Sequence, residues 1–223
     1  KNTFDLSDSA QLTIGLDSNS RNWDGSYEKK SAMNPMMANM ITGRISIDDV
    51  DTTNRALFAE LEKRYSATSI KAGVRYDDTH IETAGTMGQP DNDYSGISAN
   101  IFANYQLNDS TRLFGGIGRA SRVPDARELY FHAAMVPGSP MAPQPVIGTP
   151  DLEQTINTEI DLGVEKRYEN ASLKAKVFYS QLTDFIYFNS SKMTNKFENV
   201  DATIHGLSLS GDYFINDSLY VDY

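Results

Sequence analysis

The sequence predicts an all-β protein whose antiparallel strands form a segment of a transmembrane β-barrel. Three observations predict this fold class: a two-residue hydrophobic period, long strands, and connections that alternate between short and long. The alternating runs last about 10–13 residues, whereas soluble strands average about 5–6 and tilted membrane strands need about 9–11. The predicted sheet therefore has one apolar and one polar face, and its strands are long enough to cross a bilayer.

The hydrophobic alternation is the primary signal. In 157–165, for example, Ile160, Leu162 and Val164 alternate with acidic and small polar residues. The same alternation recurs in segments 70–77, 97–107, 173–179 and 205–213.

Eight complete strands are predicted, together with a ninth that begins near Leu219, and no helix is needed. The predicted strands are 10–18, 54–64, 68–79, 94–107, 111–121, 156–167, 171–183 and 203–214. Residues 53–63 also have the spacing of an amphipathic helix, but a strand is preferred because the segment enters a hairpin at Tyr65.

The predicted connections alternate in length. Short turns lie at 65–68, 108–110, 168–171 and 216–218, and long loops at 18–53, 80–93, 122–156 and 184–203. This asymmetry is typical of bacterial outer-membrane barrels, whose long loops lie outside the cell. Tyrosines cluster near the strand ends, as they do in an interfacial aromatic girdle.

Composition excludes several other classes. The formal net charge of −10 argues against nucleic acid as a partner, because phosphate neutralisation needs clustered Lys and Arg. Three scattered histidines, no cysteine and no Gly-x-Ser-x-Gly motif leave no catalytic set, so no enzyme is predicted. The sequence contains no run of about 18 apolar residues, so it predicts no membrane-spanning helix. A soluble β-sandwich or adhesin-like binding module is the structural alternative, but the strand lengths favour a barrel.

Several motifs resemble those of the TonB-dependent receptor family. Residues 118–130 read Gly-Arg-Ala-Ser-Arg-Val-Pro-Asp-Ala-Arg-Glu-Leu-Tyr, which resembles the segment where a barrel strand opens into a long extracellular loop. Residues 148–154 resemble the end of that loop, with Thr149 in place of the usual Asn. Similar segments follow at 158–165, 180–187 and 197–207. The resemblance covers about 54–223 in matching order and spacing.

The resemblance implies a larger barrel of 22 strands, with an N-terminal plug domain folded inside it. Such receptors take up siderophores, haem, cobalamin or copper, and TonB energises them. Residues 1–223 are therefore expected to be a partial barrel domain without its plug, located in the bacterial outer membrane. The implied partners are outer-membrane lipid, lipopolysaccharide, the plug, the TonB complex and a metal or metal-chelate ligand.

Loop residues with soft donors are the candidate metal ligands. Met33, Met36, Met37 and Met40 place four thioethers within a short stretch of a predicted extracellular loop, and thioethers suit Cu(I). His132 would add an imidazole from the longest loop. Packing of the methionines on a neighbouring loop or on the plug is the alternative. The resemblance to the copper-receptor branch implies copper as a transported ligand rather than a resident cofactor, with a siderophore complex as the rival.

A basic cluster, Arg119, Arg122 and Arg127, is the second candidate ligand-binding element. It lies where a predicted strand opens into the longest loop. Its guanidinium groups suit an anionic siderophore or lipopolysaccharide phosphates. Pairing with Asp125, Glu128 and acidic residues of the lumen is the alternative, and it is favoured.

Overall fold

The computed structural model describes residues 1–30, 41–132, 147–190, 195–216 and 219–222. They form one ten-stranded sheet in which every neighbouring pair is antiparallel and the spatial order equals the sequence order. The strands are β1 Asn2–Ser7, β2 Ala10–Lys30, β3 Ile41–Arg64, β4 Thr68–Thr83, β5 Asn92–Asn108, β6 Thr111–Arg122, β7 Thr155–Arg167, β8 Ala171–Asn189, β9 Lys196–Asn216 and β10 Leu219–Asp222. A short helix, α1, spans Ala126–Tyr130 between β6 and β7.

The predicted fold class is confirmed, but the strand count was one too low. All eight predicted strands and the beginning of the ninth are present as β2–β10. The missed strand, β1, has six residues and only two apolar members, Phe4 and Leu6, so its alternation was too short to recognise. It pairs with β2 through contacts such as Phe4 opposite Leu12.

Two predicted long loops are instead mostly strand. Residues 18–53 were predicted as a connection, yet β2 continues to Lys30 and β3 begins at Ile41. Pairing continues through polar positions, with Asn19 opposite Asn54. Residues 184–203 likewise extend β8 and β9. Backbone pairing needs no apolar alternation, so hydropathy located the part of each hairpin that faces lipid and missed its continuation.

The short turns and long connections lie at opposite ends of the sheet. The short-turn end holds the β1–β2, β3–β4, β5–β6 and β7–β8 turns, and the long-loop end holds the connections that precede β3, β5, β7 and β9. This arrangement confirms the predicted asymmetry.

The outer face of the sheet is apolar and uncovered. Leu16, Leu57, Leu162 and Leu207 are 78%, 57%, 61% and 63% exposed, and all follow the two-residue period of one face. Apolar surface of this extent on a sheet face is typical of contact with lipid. No helix in the described ranges has the length and apolar character to cross a membrane.

The inner face is polar and carries paired charges. Arg75 contacts Asp77 at 2.9 Å and Asp17 at 3.3 Å, and Lys176 contacts Asp161 at 2.8 Å. The Arg75–Asp17 and Lys176–Asp161 pairs join different strands and therefore depend on the sheet register, whereas Arg75 and Asp77 lie two residues apart on β4. A sheet face whose charged side chains form ion pairs suits the water-filled lumen of a barrel.

A small apolar core lies at the long-loop end, on the inner side. Leu129 of α1 and Ile81 of β4 are fully buried, and Val50 of β3 is 1% exposed. The cluster comprises Ile47, Val50, Ile81, Tyr94, Ala126, Leu129, Tyr130, Leu152 and Ile186. The core therefore fixes α1 against the sheet above the lipid-facing band.

Candidate functional site

The candidate site lies on the inner face beneath α1, and a capping box sets the position of that helix. The Asp125 side chain accepts hydrogen bonds from the backbone N–H groups of Arg127 and Glu128, both at 2.9 Å. The Glu128 carboxylate in turn accepts from the Asp125 N–H at 2.9 Å. These reciprocal bonds satisfy donors that the first helical turn would otherwise leave unpaired. The sequence Asp-Ala-Arg-Glu carried this signal, but the prediction of no helix overlooked it.

An ion pair ties α1 to the end of β6. Both terminal nitrogens of Arg122 donate to the two oxygens of Glu128, each at 2.9 Å. Such a bidentate pair fixes direction as well as distance. The pairing suggested by the sequence is therefore the geometry observed for Arg122, and its charge is neutralised.

Tyrosine hydroxyls complete the attachment of α1. The Tyr130 hydroxyl accepts from the Asn92 side-chain amide at 2.6 Å. Burial raises the pKa of the Tyr130 phenol, so it remains protonated at neutral pH. The Tyr94 hydroxyl donates to the Leu152 carbonyl at 2.8 Å, which joins β5 to the segment before β7. Helix α1 is thus held in a fixed position over the inner face of the sheet, and it is called here the roof of the site.

A cavity of about 500 Å³, here called the upper cavity, lies beneath this roof. Hydroxyl and amide groups from the five strands β2 to β6 line it, together with Pro124 and Asp125 of the segment before α1. A second cavity of about 640 Å³, the wall cavity, continues along the inner face. Arg75 and Ser98 line both cavities, so the two are adjacent parts of one trough, which polar groups and phenylalanine rings line together.

Arg21 is the cation of the upper cavity that has no acidic partner. Its guanidinium carbon lies 5.5 Å from the centroid of the Trp23 ring, on the same face of β2. Within the described ranges no carboxylate pairs with it, whereas Arg75 and Arg122 are both neutralised. A guanidinium held by a ring face keeps its donors free for an anion. Sequence reasoning missed this pair, although the Arg-x-Trp spacing already placed both side chains on one face.

The predicted methionine ligands lie outside the described residues. Met33, Met36, Met37 and Met40 fall within 31–40, which join β2 to β3. His132 is described, and its backbone N–H donates to the Ser46 carbonyl of β3 at 2.8 Å. It therefore lies beside the hairpin whose connection carries the four methionines.

Met87 lies near the same stretch of β3. Its backbone N–H donates to the Asp48 carboxylate at 3.1 Å, and the side chain is 38% exposed. His132 and Met87 are thus both anchored to β3 within residues 46–48. Among the described residues no group of three or more His, Asp or Glu side chains has the arrangement of a metal site.

The three predicted arginines do not share one surface. Arg119 lies on the outer face of β6, in register with Ala99 and Thr158. Arg122 is paired with Glu128, as described above. The Arg127 guanidinium lies 5.7 Å from the Phe131 ring centroid. The three predicted arginines therefore have different surroundings. Arg119 and Arg122 lie on opposite faces of β6, because the side chains of a strand alternate between faces, and Arg127 belongs to α1.

Comparison with protein families gives one match that covers the whole chain. The model of the family "TonB dependent receptor-like, beta-barrel" matches residues 1–223. No curated protein sequence matches the chain.

Solved structures share the fold. A structure described as the copper transporter OprC is 23% identical, with a TM-score of 0.73 over 94% of this chain and 33% of its own. The FrpB iron transporter from Neisseria meningitidis is 12% identical, with a TM-score of 0.64 over 96% of this chain and 32% of its own. The Serratia marcescens hemophore receptor HasR is 15% identical, with a TM-score of 0.66 over 99% of this chain and 39% of its own. The chain thus spans about a third of the length of the structures it matches.

Proposed function

The chain belongs to the TonB-dependent receptor-like β-barrel family, and from this premise we propose that it forms part of the wall of an outer-membrane importer for a scarce metal, with copper as the preferred ligand. Members of this family are receptors and transporters of the Gram-negative outer membrane. Residues 1–223 would be a partial barrel domain. Its inner face would meet a plug, and TonB would supply the energy through that plug.

One observation carries the importer proposal. The sheet separates an exposed apolar outer face from an ion-paired inner face, and a trough runs along that inner face beneath α1. A soluble β-sandwich buries one face of each sheet against the other. Here no second layer covers the apolar face of the described strands, so lipid is the environment that fits it.

Copper is supported by the placement of soft donors. The connection between β2 and β3 contains four methionines, and His132 and Met87 are hydrogen-bonded to β3 of that hairpin. Thioether and imidazole together suit Cu(I) better than hard cations. The likeness to a structure named a copper transporter agrees with this ligand.

A chelated metal is the second candidate, and Arg21 favours it. This cation faces the upper cavity beside an aromatic ring, and no carboxylate of the described residues pairs with it. Anionic chelates are recognised by such arginines. Copper would bind at the methionines, whereas a chelate would bind lower, in the cavity.

Titration of the full-length receptor separates the two ligands. Cu(I) affinity should fall at least about tenfold when Met36, Met37 and Met40 are replaced by Leu, since three soft donors are lost while apolar volume is kept. Replacement of Met193 by Leu is the matched control and should leave Cu(I) affinity unchanged. A wild-type receptor that binds no Cu(I) would refute the copper proposal. Binding of a ferric siderophore that Arg21→Gln weakens would establish the chelate instead.

The outward direction of Arg119 supports a role toward lipid rather than toward the imported ligand. It lies beyond Ile117 on the outer face, on the long-loop side of β6. A guanidinium on this face suits lipopolysaccharide phosphates. We therefore assign Arg119 to the membrane surface and Arg122 to the attachment of α1.

A further inference from the structure

A four-residue sequence occurs twice in the chain. Glu-Lys-Arg-Tyr stands at 62–65 and again at 165–168. Each copy ends a strand, β3 in the first case and β7 in the second, and each leads into a short turn. Both copies therefore lie at the short-turn end of the sheet.

The two copies adopt the same geometry. Arg64 pairs with Glu62 at 2.6 Å, and Arg167 pairs with Glu165 at 2.8 Å. The Tyr65 N–H donates to the Thr68 carbonyl and the Tyr168 N–H to the Ala171 carbonyl, each at 2.7 Å.

The lysine of each copy has the same position relative to the tyrosine ring of that copy. The Lys63 ammonium lies 5.1 Å from the centroid of the Tyr65 ring, and the Lys166 ammonium lies 5.2 Å from that of Tyr168. Both tyrosines are 53% exposed. The repeated sequence thus has the same structure at two equivalent positions of the sheet.

Strand alternation divides each copy between the two faces. The Glu–Arg pair points inward, whereas Lys and Tyr point outward, in phase with Leu61 in the first copy and Val164 in the second. Tyrosine favours the boundary between lipid and water, and lysine extends its ammonium toward the water. The Lys–Tyr halves therefore mark the edge of the apolar band.

The outward lysines lack an acidic partner. Across the described ranges, neither Lys63 nor Lys166 forms an ion pair, whereas the inward Lys71 and Lys176 pair with Glu60 and Asp161. These two ammonium groups lie at the same edge of the lipid band, in a chain whose net charge is −10. A tyrosine ring restricts each ammonium but takes none of its N–H donors, so an external anion can bind.

We propose that each Lys–Tyr pair binds the phosphate of one anionic phospholipid in the periplasmic leaflet. The leaflet follows from the short turns, which face the periplasm in such barrels. Strands β3 and β7 are four strand spacings apart, about 19 Å, so the two sites take separate lipids. The inference rests on the membrane placement proposed above.

The test uses the full-length receptor and phosphatidylglycerol, titrated in detergent and followed by native mass spectrometry. Lys63→Gln and Lys166→Gln should each weaken their site about fivefold, as expected for one basic residue near an anionic surface. Lys→Arg at both positions should retain binding. Lys71→Gln with Lys176→Gln is the matched control, since it removes two inward lysines, and lipid binding should not change.

Lipid affinity unchanged in the Lys63→Gln, Lys166→Gln double variant would overturn the inference, as would an equal loss in the control. Displacement of the lipid by inorganic phosphate at a similar concentration would also overturn it, because the site would then hold a free anion. Membrane fractionation separates this from the proposed function. A receptor that remains in the outer membrane but shows no lysine dependence refutes the lipid sites alone.

Discussion

Glu128 has two roles at once, because one oxygen accepts from the Asp125 backbone and both oxygens accept from Arg122. The capping box begins α1, and the ion pair holds the helix to the end of β6. The Asp-x-x-Glu pattern predicts the capping box from sequence. The ion pair could not be assigned to Arg122 from sequence, since Arg119 and Arg127 are also near Glu128 in the chain.

Removal of the Glu128 carboxylate should release α1. Glu128→Ala loses half of the capping box and leaves Arg122 unpaired, so the local stability of 126–130 should fall by about 1–2 kcal/mol. Faster amide hydrogen exchange in α1, measured by mass spectrometry on the full-length receptor, would show this.

Arg127→Ala is the control for that variant, because the Arg127 side chain contacts only the Phe131 ring among the interactions described. Its α1 exchange should remain close to wild type. Equal acceleration in both variants would mean that Glu128 does not hold the helix.

At the scale of the strands, four pairs of Phe and Gly line the inner wall. Each Phe lies directly opposite a Gly of the neighbouring strand, and its ring covers the space that a side chain would fill. The pairs are Phe58 with Gly15, Phe102 with Gly116, Phe114 with Gly163, and Phe178 with Gly206. These four glycines are therefore packing positions, and only the strand register shows which Phe each of them faces.

Gly163→Ala should be destabilising because its Cβ would come within 2.2 Å of the Phe114 ring. Overpacking of this kind costs about 1–3 kcal/mol, which should lower the thermal unfolding temperature of the receptor. Gly118→Ala is the matched control on the inner face, since its Cβ would have Asn100 Cβ as nearest neighbour at 3.6 Å. A control that unfolds as early as Gly163→Ala would show that loss of glycine itself, and not the ring contact, is responsible.

The sequence predicts that each of the strands β2 to β10 exists, but it does not predict where the long strands end. The lipid-facing portions of β2 to β9 follow the two-residue period, which is why all were predicted. Strand β2 continues beyond residue 18, and β3 begins before residue 54. Both extensions contain polar residues on both faces of the sheet, so hydropathy does not show that they are strand. The candidate site was predictable only in part. Its soft donors are visible in sequence, whereas Arg21 depends on cavity geometry.

For the whole molecule, the two faces should tolerate charge differently. Ile101 on the outer face and Asn100 on the inner face are adjacent in β5, and Ile101 is 48% exposed. Ile101→Lys should destabilise the receptor by about 2–4 kcal/mol, because the charge would enter lipid near the middle of the band. Asn100→Lys should have a much smaller effect, since the inner wall is polar. Denaturant unfolding in phospholipid vesicles measures both, and equal losses would contradict the assignment of faces.

The sequential order of the sheet also has a consequence for how such a wall evolves. Each strand pairs with its neighbours in sequence, from β1 to β10, without a crossover. Duplication or deletion of one hairpin therefore changes the circumference while every other pairing is kept. The two copies of Glu-Lys-Arg-Tyr, each ending the first strand of a hairpin, are what a lineage that grew by hairpin duplication would carry.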